Sequence, residues 1–408
     1  MKENQKLKVA IAMSGGVDSS VAAKILRDEG HEVIGLFLKL WSDPLCKINK
    51  ENRCCDYEAL EDARKVAAKL KIPFYVINAR DEFKKEVVDY FLEEYKSLKT
   101  PNPCIVCNDK IKFGLLLKKA LEIGCDKLAT GHYARIAQTQ NYKLFAGIDK
   151  TKDQSYMLYH LNQNQLSRVL FPLGKMTKIK VRGLAKKWDL PVKEKPESQE
   201  ICFFGDKDYR AFLKRYLPEK YFKPGKIVDK KGNVLGEHQG LINYTIGQRK
   251  GVDQSQISNV KSQNCNLKLK TSSHSEPRRG PFGSSEESQD KEPLYVIGFD
   301  VKKNQLIVGE DKDIYSKQMT VSNVNWINPK VKSPDDLKMS GSRSALSHRD
   351  YNLFVKIRYR HPAVKCTIVQ LNDNKLKVLF NMPQRAITPG QSAVFYSGDE
   401  VLGGGLIS

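Results

Sequence analysis

Three groups of residues in this 408-residue chain carry atoms suited to chemistry. The first is Ser14-Gly15-Gly16-Val17-Asp18-Ser19-Ser20, which follows the apolar run LKVAIAM and opens the helical pattern SSVAAKILRDEG. Paired glycines let a backbone approach an anion closely. The hydroxyls of Ser14, Ser19 and Ser20 can donate, and a helix N-terminus adds N–H groups and a favourable dipole. No Gly-Lys-Ser/Thr closes the loop, so it is not a Walker-type phosphate loop. The second group is Cys104-Ile105-Val106-Cys107, and the third is Cys202. Nine cysteines are too few for a disulfide framework in a chain of this length. A Cys-x-x-Cys spacing in an intracellular chain points instead to metal or redox chemistry. Each group also has a plain structural reading, a tight glycine turn or inert buried thiols.

The elements that must position these groups alternate along residues 1–205. Short apolar runs (LKVAIAMS, HEVIGLFLKL, IPFYVINA) are separated by patterns of helical period (EALEDARKVAAKL, FKKEVVDYFLEEYKSL, IKFGLLLKKALEIG). Such alternation predicts an α/β domain built on a parallel sheet with helices on both faces. The expected division is an α/β domain over 1–205, a small central domain over 206–292, and a β-domain over 293–408. Glycine-rich alternating segments after residue 205 predict hairpins. Residues 253–290 hold nine serines and few aromatic or β-branched residues, which predicts a disordered insertion. From LYVIGFD onward, short alternating segments predict a small antiparallel barrel or sandwich, interrupted by a polar stretch at 331–350.

Charge supplies a partner class. Lys plus Arg number 69 and Asp plus Glu 47, a net +22. Residues 1–100 contribute +1, residues 101–250 +15 and residues 251–408 +6. An excess gathered in the middle of the chain predicts a polyanionic partner rather than general solubility. No apolar run approaches the roughly 18 residues that span a bilayer. The N-terminus passes from a charged start straight into a strand, unlike a signal peptide. A cytoplasmic protein with no membrane partner is expected.

The seven residues from Ser14 match the loop of pyrophosphatase-type enzymes, which split ATP into AMP and pyrophosphate. Further segments follow in the order found in tRNA-specific 2-thiouridylases: Thr100-Pro101-Asn102-Pro103-Cys104-Ile105-Val106-Cys107-Asn108, Ala129-Thr130-Gly131-His132-Tyr133, Lys152-Asp153-Gln154-Ser155-Tyr156 and Glu200-Ile201-Cys202-Phe203. The segments beginning at Tyr244, Lys356 and Thr388 continue the series, so the chain resembles that family over nearly its whole length. The resemblance implies a Rossmann-like ATP pyrophosphatase domain, a small central domain and a C-terminal antiparallel β-barrel. It implies that sulfur replaces O2 of the wobble uridine in a tRNA anticodon loop, with ATP and Mg2+ activating the base as an adenylate. Ala12, Met13, Ser14, Gly15, Gly16, Val17, Asp18, Ser19, Leu38 and Gly131 would hold ATP. Cys202 would carry a persulfide and Cys107 would attack it, leaving a transient Cys107–Cys202 disulfide. Asn102, Pro103 and Cys104 would meet the base. His132, Lys152, Asp153, Gln154, Arg358, Tyr359 and Gln391 would lie along the tRNA. The sulfur would come from a cysteine desulfurase or a relay protein. Many relatives carry Asp where this chain has Cys104, and an unperturbed thiol near 8.5 is a poorer acid–base group at neutral pH. Cys104, Cys107 and Cys202 could instead ligate an iron–sulfur cluster, an alternative not favoured. On the residues alone, a small-molecule ligase with the same ATP loop and a non-catalytic RNA-binding protein remain open.

Overall fold

The computed structural model describes residues 6–45, 57–197, 201–204, 208–252, 293–328, 353–372 and 374–408. Cys46, Cys54, Cys55, Glu200, Cys265 and the expected insertions at 253–290 and 331–350 lie outside them. The described residues form two compact units, one of residues 1–217, 317–382 and 389–408, the other of residues 218–316 and 383–388.

The first unit is organised by a parallel sheet. Its strands are β1 (Lys8–Ala12), β2 (Glu32–Lys39), β3 (Phe74–Asn78), β4 (Lys127–Ala129) and, beyond a hairpin of β5 (Ala134–Gln138) and β6 (Tyr142–Ala146), β7 (Val169–Leu170). Their order is β3-β2-β1-β4-β7, and every pairing is parallel. The strand period of two sends alternate residues to two cores. Val9, Ile11, Val33 and Phe37 face helices α1 (Val17–Asp28) and α2 (Tyr57–Leu70), where Val21, Leu26, Ala63 and Val66 meet them. Ala10, Ile34, Leu36 and Leu128 face Ile105, Phe113 and Leu116 on the other side. The chain leaves β1 towards β2 and β3, then returns to β4 on the opposite flank. The switch point therefore lies between β1 and β4, where open α/β sheets bind ligands at their strand C-termini.

The second unit holds a four-stranded sheet, β8 (Gly225–Val228), β9 (Val234–His238), β10 (Tyr295–Asp300) and β11 (Gln305–Gly309), in the order β10-β11-β8-β9. The boundary expected at 292/293 is thus displaced. β11 pairs with β8 through Gln305–Lys226, Leu306–Ile227 and Ile307–Val228, which draws residues 295–309 into the central unit. Sequence alternation cannot distinguish these strands from barrel strands, because both bury one face.

The C-terminal strands are β12 (Tyr315–Trp326), β13 (Leu353–Lys356), β14 (Val364–Asn372), β15 (Lys375–Arg385), β16 (Ser392–Ser397) and β17 (Glu400–Ile407). They run β12-β15-β14-β13-β16-β17, and a β12–β17 pairing closes them into a six-stranded barrel without free edges. The β5–β6 hairpin adds to β17, with Glu400 opposite Phe145 and Val401 opposite Leu144. The N-terminal region and the barrel are therefore tied by a shared sheet. Tyr156 adds to this, buried and donating its hydroxyl to the Ser392 carbonyl at 2.8 Å.

Candidate active site

The loop after β1 is shaped by close approach. Gly15 has φ +70°, a conformation that disfavours side chains, and a Cβ there would lie 2.2 Å from the Ala59 carbonyl oxygen. Gly16 is the N-cap of α1 and leaves the helix without a side-chain cap. The first-turn N–H groups of α1 are thus offered outward, as an anion site requires. The serines divide between support and access. The buried hydroxyls of Ser19 and Ser20 donate to the Gly16 carbonyl at 3.2 and 2.8 Å, and Ser19 Oγ accepts from the Ser14 amide at 3.2 Å. Ser14 remains exposed. Gly131, after β4, closes the other wall; a Cβ there would sit 3.0 Å from both Asp18 C and Ser19 N. Met13 is buried, Val17 packs into the core behind the loop, and Leu38 lies near the end of β2. Ala12 ends β1. These surroundings suit a nucleotide triphosphate: an uncapped helix terminus, hydroxyl donors and glycine walls.

Lys178, which the sequence did not single out, completes the charge pattern. Its ammonium lies 2.7 Å from both Asp18 carboxylate oxygens and 3.1 Å from Glu197 Oε1. Glu197 Oε2 in turn accepts from Lys152 at 2.7 Å, and Tyr133 donates its hydroxyl to Asp18 Oδ1 at 2.8 Å. Lys178 is 8% exposed and starts the Lys178–Lys187 helix, an unfavourable end for a cation. Two carboxylates offset that cost. Lys152 and Lys178 hold Glu197 below the usual carboxylate range, and burial and the Asp18 charge push the Tyr133 hydroxyl up. A lysine opening a helix pattern beyond Thr177 is a weak sequence signal, since its partners are 160 and 19 residues away.

The cysteines occupy a second element. Asn102 caps a helical run beginning at Pro103–Val106, its Oδ1 accepting from the Cys104 amide at 3.2 Å, with buried Pro103 at the first position. Cys104 is exposed and Cys107, one turn on, is buried. Cys107 opens a π-helical run, Cys107–Leu116. Asn108 Nδ2 reaches the Met157 carbonyl at 3.1 Å and Asn102 Nδ2 the Met157 sulfur at 3.6 Å, which binds this helix start to the segment after Gln154. Cys202 is half-buried, and neighbouring Phe203 is anchored by Phe91 and Phe83 at ring separations of 5.4 and 5.9 Å. The Lys84–Asp89 run between those phenylalanines also packs against the helix that bears Cys107. Both cysteines thus lean on one scaffold. Among the described residues no three His, Cys, Asp or Glu side chains gather closely enough to hold a metal ion.

The residues expected along the RNA are arranged unequally. Asp153 is buried; it accepts from the Gly147 and Ser155 amides at 3.0 Å and lies 3.7 Å from Lys356. Gln154 accepts from the Tyr133 amide at 3.0 Å, and Gln391 donates to the Thr100 carbonyl at 2.7 Å. His132 is buried against Phe113 and Phe171 beside Thr130 Oγ1 at 2.7 Å; burial, with the Lys112 charge adding, holds its imidazole neutral. Arg358 and Tyr359 are half-buried, with Tyr359 packed 6.0 Å from Tyr156 and its hydroxyl pushed up by burial. Burial pushes the Cys366 thiol up to about 12. Alkylation with iodoacetamide at pH 8 should modify exposed Cys104 and spare Cys366 in the folded protein. Equal labelling of the two, read by peptide mass mapping, would contradict this burial.

An anion cradle at the switch point of a parallel sheet, continuous with a closed β-barrel, defines an α/β nucleotide-handling protein. Residues 7–206 match the family described as tRNA methyl transferase HUP domain, residues 210–263 the tRNA methyl transferase PRC-barrel domain, and residues 316–407 the aminomethyltransferase beta-barrel domain. Over 406 residues the chain is 43% identical to tRNA-specific 2-thiouridylase MnmA of Carboxydothermus hydrogenoformans, covering 98% of this chain and 97% of that one. It is 44% identical over 404 residues to tRNA-specific 2-thiouridylase MnmA 1 of Caldanaerobacter subterraneus subsp. tengcongensis, covering 98% and 97%. For the Geotalea uraniireducens MnmA, identity is 42% over 412 residues, covering 100% and 96%. The chain belongs to the tRNA-specific 2-thiouridylase family. No helix among the described residues is long and apolar enough to cross a membrane.

Proposed function

We propose that this chain carries out the reaction for which its family is named, the ATP-dependent conversion of a tRNA wobble uridine to 2-thiouridine. Family membership over 98% of the chain carries the reading. The uridine O2 is a poor leaving group, so adenylation makes AMP depart in its place. The first-turn N–H groups of α1, with Ser14 and Lys178 nearby, would hold the triphosphate, and Mg2+ bound with it would offset part of its charge. A uridine turned out of the anticodon loop meets Asn102, Pro103 and Cys104 at the helix start. Cys202 brings sulfur as a persulfide. Cys107 attacks the Cys202 sulfur, so that the outer sulfur goes to C2 as hydrosulfide or by direct transfer, and a Cys107–Cys202 disulfide remains. Lys152, Arg358, Tyr359 and the surfaces around His132, Asp153, Gln154 and Gln391 form the RNA side.

The test is reconstitution. Purified protein, ATP, Mg2+, an unmodified tRNA transcript and a cysteine desulfurase with cysteine should yield 2-thiouridine by nucleoside mass spectrometry, with one AMP per thiolated base. AMP release without 2-thiouridine would overturn the assignment. The basic surplus adds a second expectation, for affinity. Each phosphate contact releases counterions, so even three contacts imply roughly a 20-fold weaker tRNA complex at 200 mM than at 50 mM salt. Filter binding that is flat across this range would remove the +15 of residues 101–250 from the RNA surface.

A further inference from the structure

We propose that Cys104 and Cys107 form a dithiol couple that clears the enzyme after each sulfur transfer. The proposal rests on the roles of Cys107 and Cys202 given above and adds a catalytic role for Cys104. Its basis is the placement of two thiols at the start of one helical run. Cys104 is the second residue of that run and is exposed, whereas Cys107, three residues on, is 8% exposed. Helix geometry separates such Cα atoms by about 5 Å, inside the roughly 4.4–6.8 Å that a disulfide spans. The backbone between them is fixed at its start by the Asn102 cap on the Cys104 amide and by Pro103. One sulfur is therefore open to an outside reagent, and the other is sheltered one turn deeper. A reductant limited to the surface reaches Cys104 more readily than Cys107.

The exchange balances without an added oxidant. After transfer, Cys107 and Cys202 share a disulfide. The Cys104 thiolate attacks Cys107 Sγ; the Cys104–Cys107 bond forms, the Cys107–Cys202 bond breaks, and Cys202 leaves as a thiolate. The proton shed by Cys104 is balanced by the one Cys202 regains, and no net electrons move. Cys202 is then ready for its next persulfide. A small or protein dithiol supplies the two electrons afterwards. Its first thiolate attacks exposed Cys104 Sγ and releases Cys107; its second closes the reductant's own disulfide and releases Cys104.

The experiment is a single turnover in the absence of reductant. Enzyme loaded with persulfide by a cysteine desulfurase is desalted, mixed with ATP, Mg2+ and unmodified tRNA, quenched in acid, alkylated with N-ethylmaleimide and mapped by mass spectrometry. The native protein should carry mainly a Cys104–Cys107 disulfide with Cys202 alkylated. Cys104→Ser should carry the Cys107–Cys202 disulfide instead. With dithiothreitol then added, the ratio of steady-state to first-turnover rate should be at least tenfold lower in Cys104→Ser. Because it is a ratio, it discounts any effect of the substitution on base contact. A Cys107–Cys202 disulfide alone in the native protein, or equal ratios in the two proteins, would overturn the relay. Native protein that forms no 2-thiouridine in the first turnover overturns the underlying functional reading, and the relay with it.

Discussion

Replacing Cys202 or Cys107 by alanine should reduce 2-thiouridine formation below detection while leaving tRNA affinity within a few fold. The two substitutions should nevertheless fail at different steps. Cys202→Ala has no sulfur atom to receive the donor's sulfane sulfur, so labelled cysteine fed through a desulfurase should leave no label on the protein. Cys107→Ala should accept that label on Cys202 and retain it, since the thiolate that would release it is missing. Both should still convert ATP to pyrophosphate once per bound tRNA, because the nucleotide cradle proposed here consists of residues 12–19, 131 and 178. Folding should survive both changes. Phe203, 1% exposed and clasped by Phe83, Phe91 and Phe212, anchors the chain beside Cys202, and the helix start at Cys107 is set by Asn102 and Pro103. Full activity in either variant would defeat the persulfide mechanism. Label retained on Cys202→Ala would assign the carrier role elsewhere.

What the sequence made legible follows from the range of the interactions concerned. The nucleotide loop is local: a strand, two glycines, hydroxyls and a helix start lie within a dozen residues, so their chemistry can be read in a line. The cysteine helix start is similar, since Asn102 caps the amide two residues on. The parallel sheet emerged from alternation, because β1 and β2 are buried on both faces and their helices keep a clear period. Two features escaped for one reason, namely partners far away in sequence. Strands β10 and β11 alternate as barrel strands do, and only their pairing with β8 assigns them to the central unit. The β5–β6 hairpin meets β17 some 255 residues later. Asp153 and Gln154 are residues that the family resemblance places along the tRNA. Their oxygens accept from the Gly147, Ser155 and Tyr133 amides, so the segment also has a structural function.

Lys178→Met should raise the ATP concentration needed for half-maximal adenylation by about 100-fold, the largest effect expected outside the cysteines. Asp18 puts a carboxylate into the loop proposed to receive the triphosphate, and like charges at close range oppose binding. Lys178 answers that charge from 2.7 Å, and its burial keeps solvent from weakening the pair. Removing the ammonium leaves Asp18 facing the phosphates and Glu197 with Lys152 as its remaining cation. At an effective dielectric near 20, one uncompensated unit charge roughly 6 Å away costs about 3 kcal/mol, and each 1.4 kcal/mol is about a factor of ten. A merely structural role would lower stability and the amount of folded enzyme without moving this concentration. Asp18→Asn separates the two: combined with Lys178→Met, it removes the repulsion and should recover much of the ATP affinity, a non-additivity expected of groups in contact. Lys178→Arg should retain part of it as well. An ATP dependence unchanged in Lys178→Met, or a double variant weaker than the product of the two single effects, would show that the cation serves the fold rather than the nucleotide.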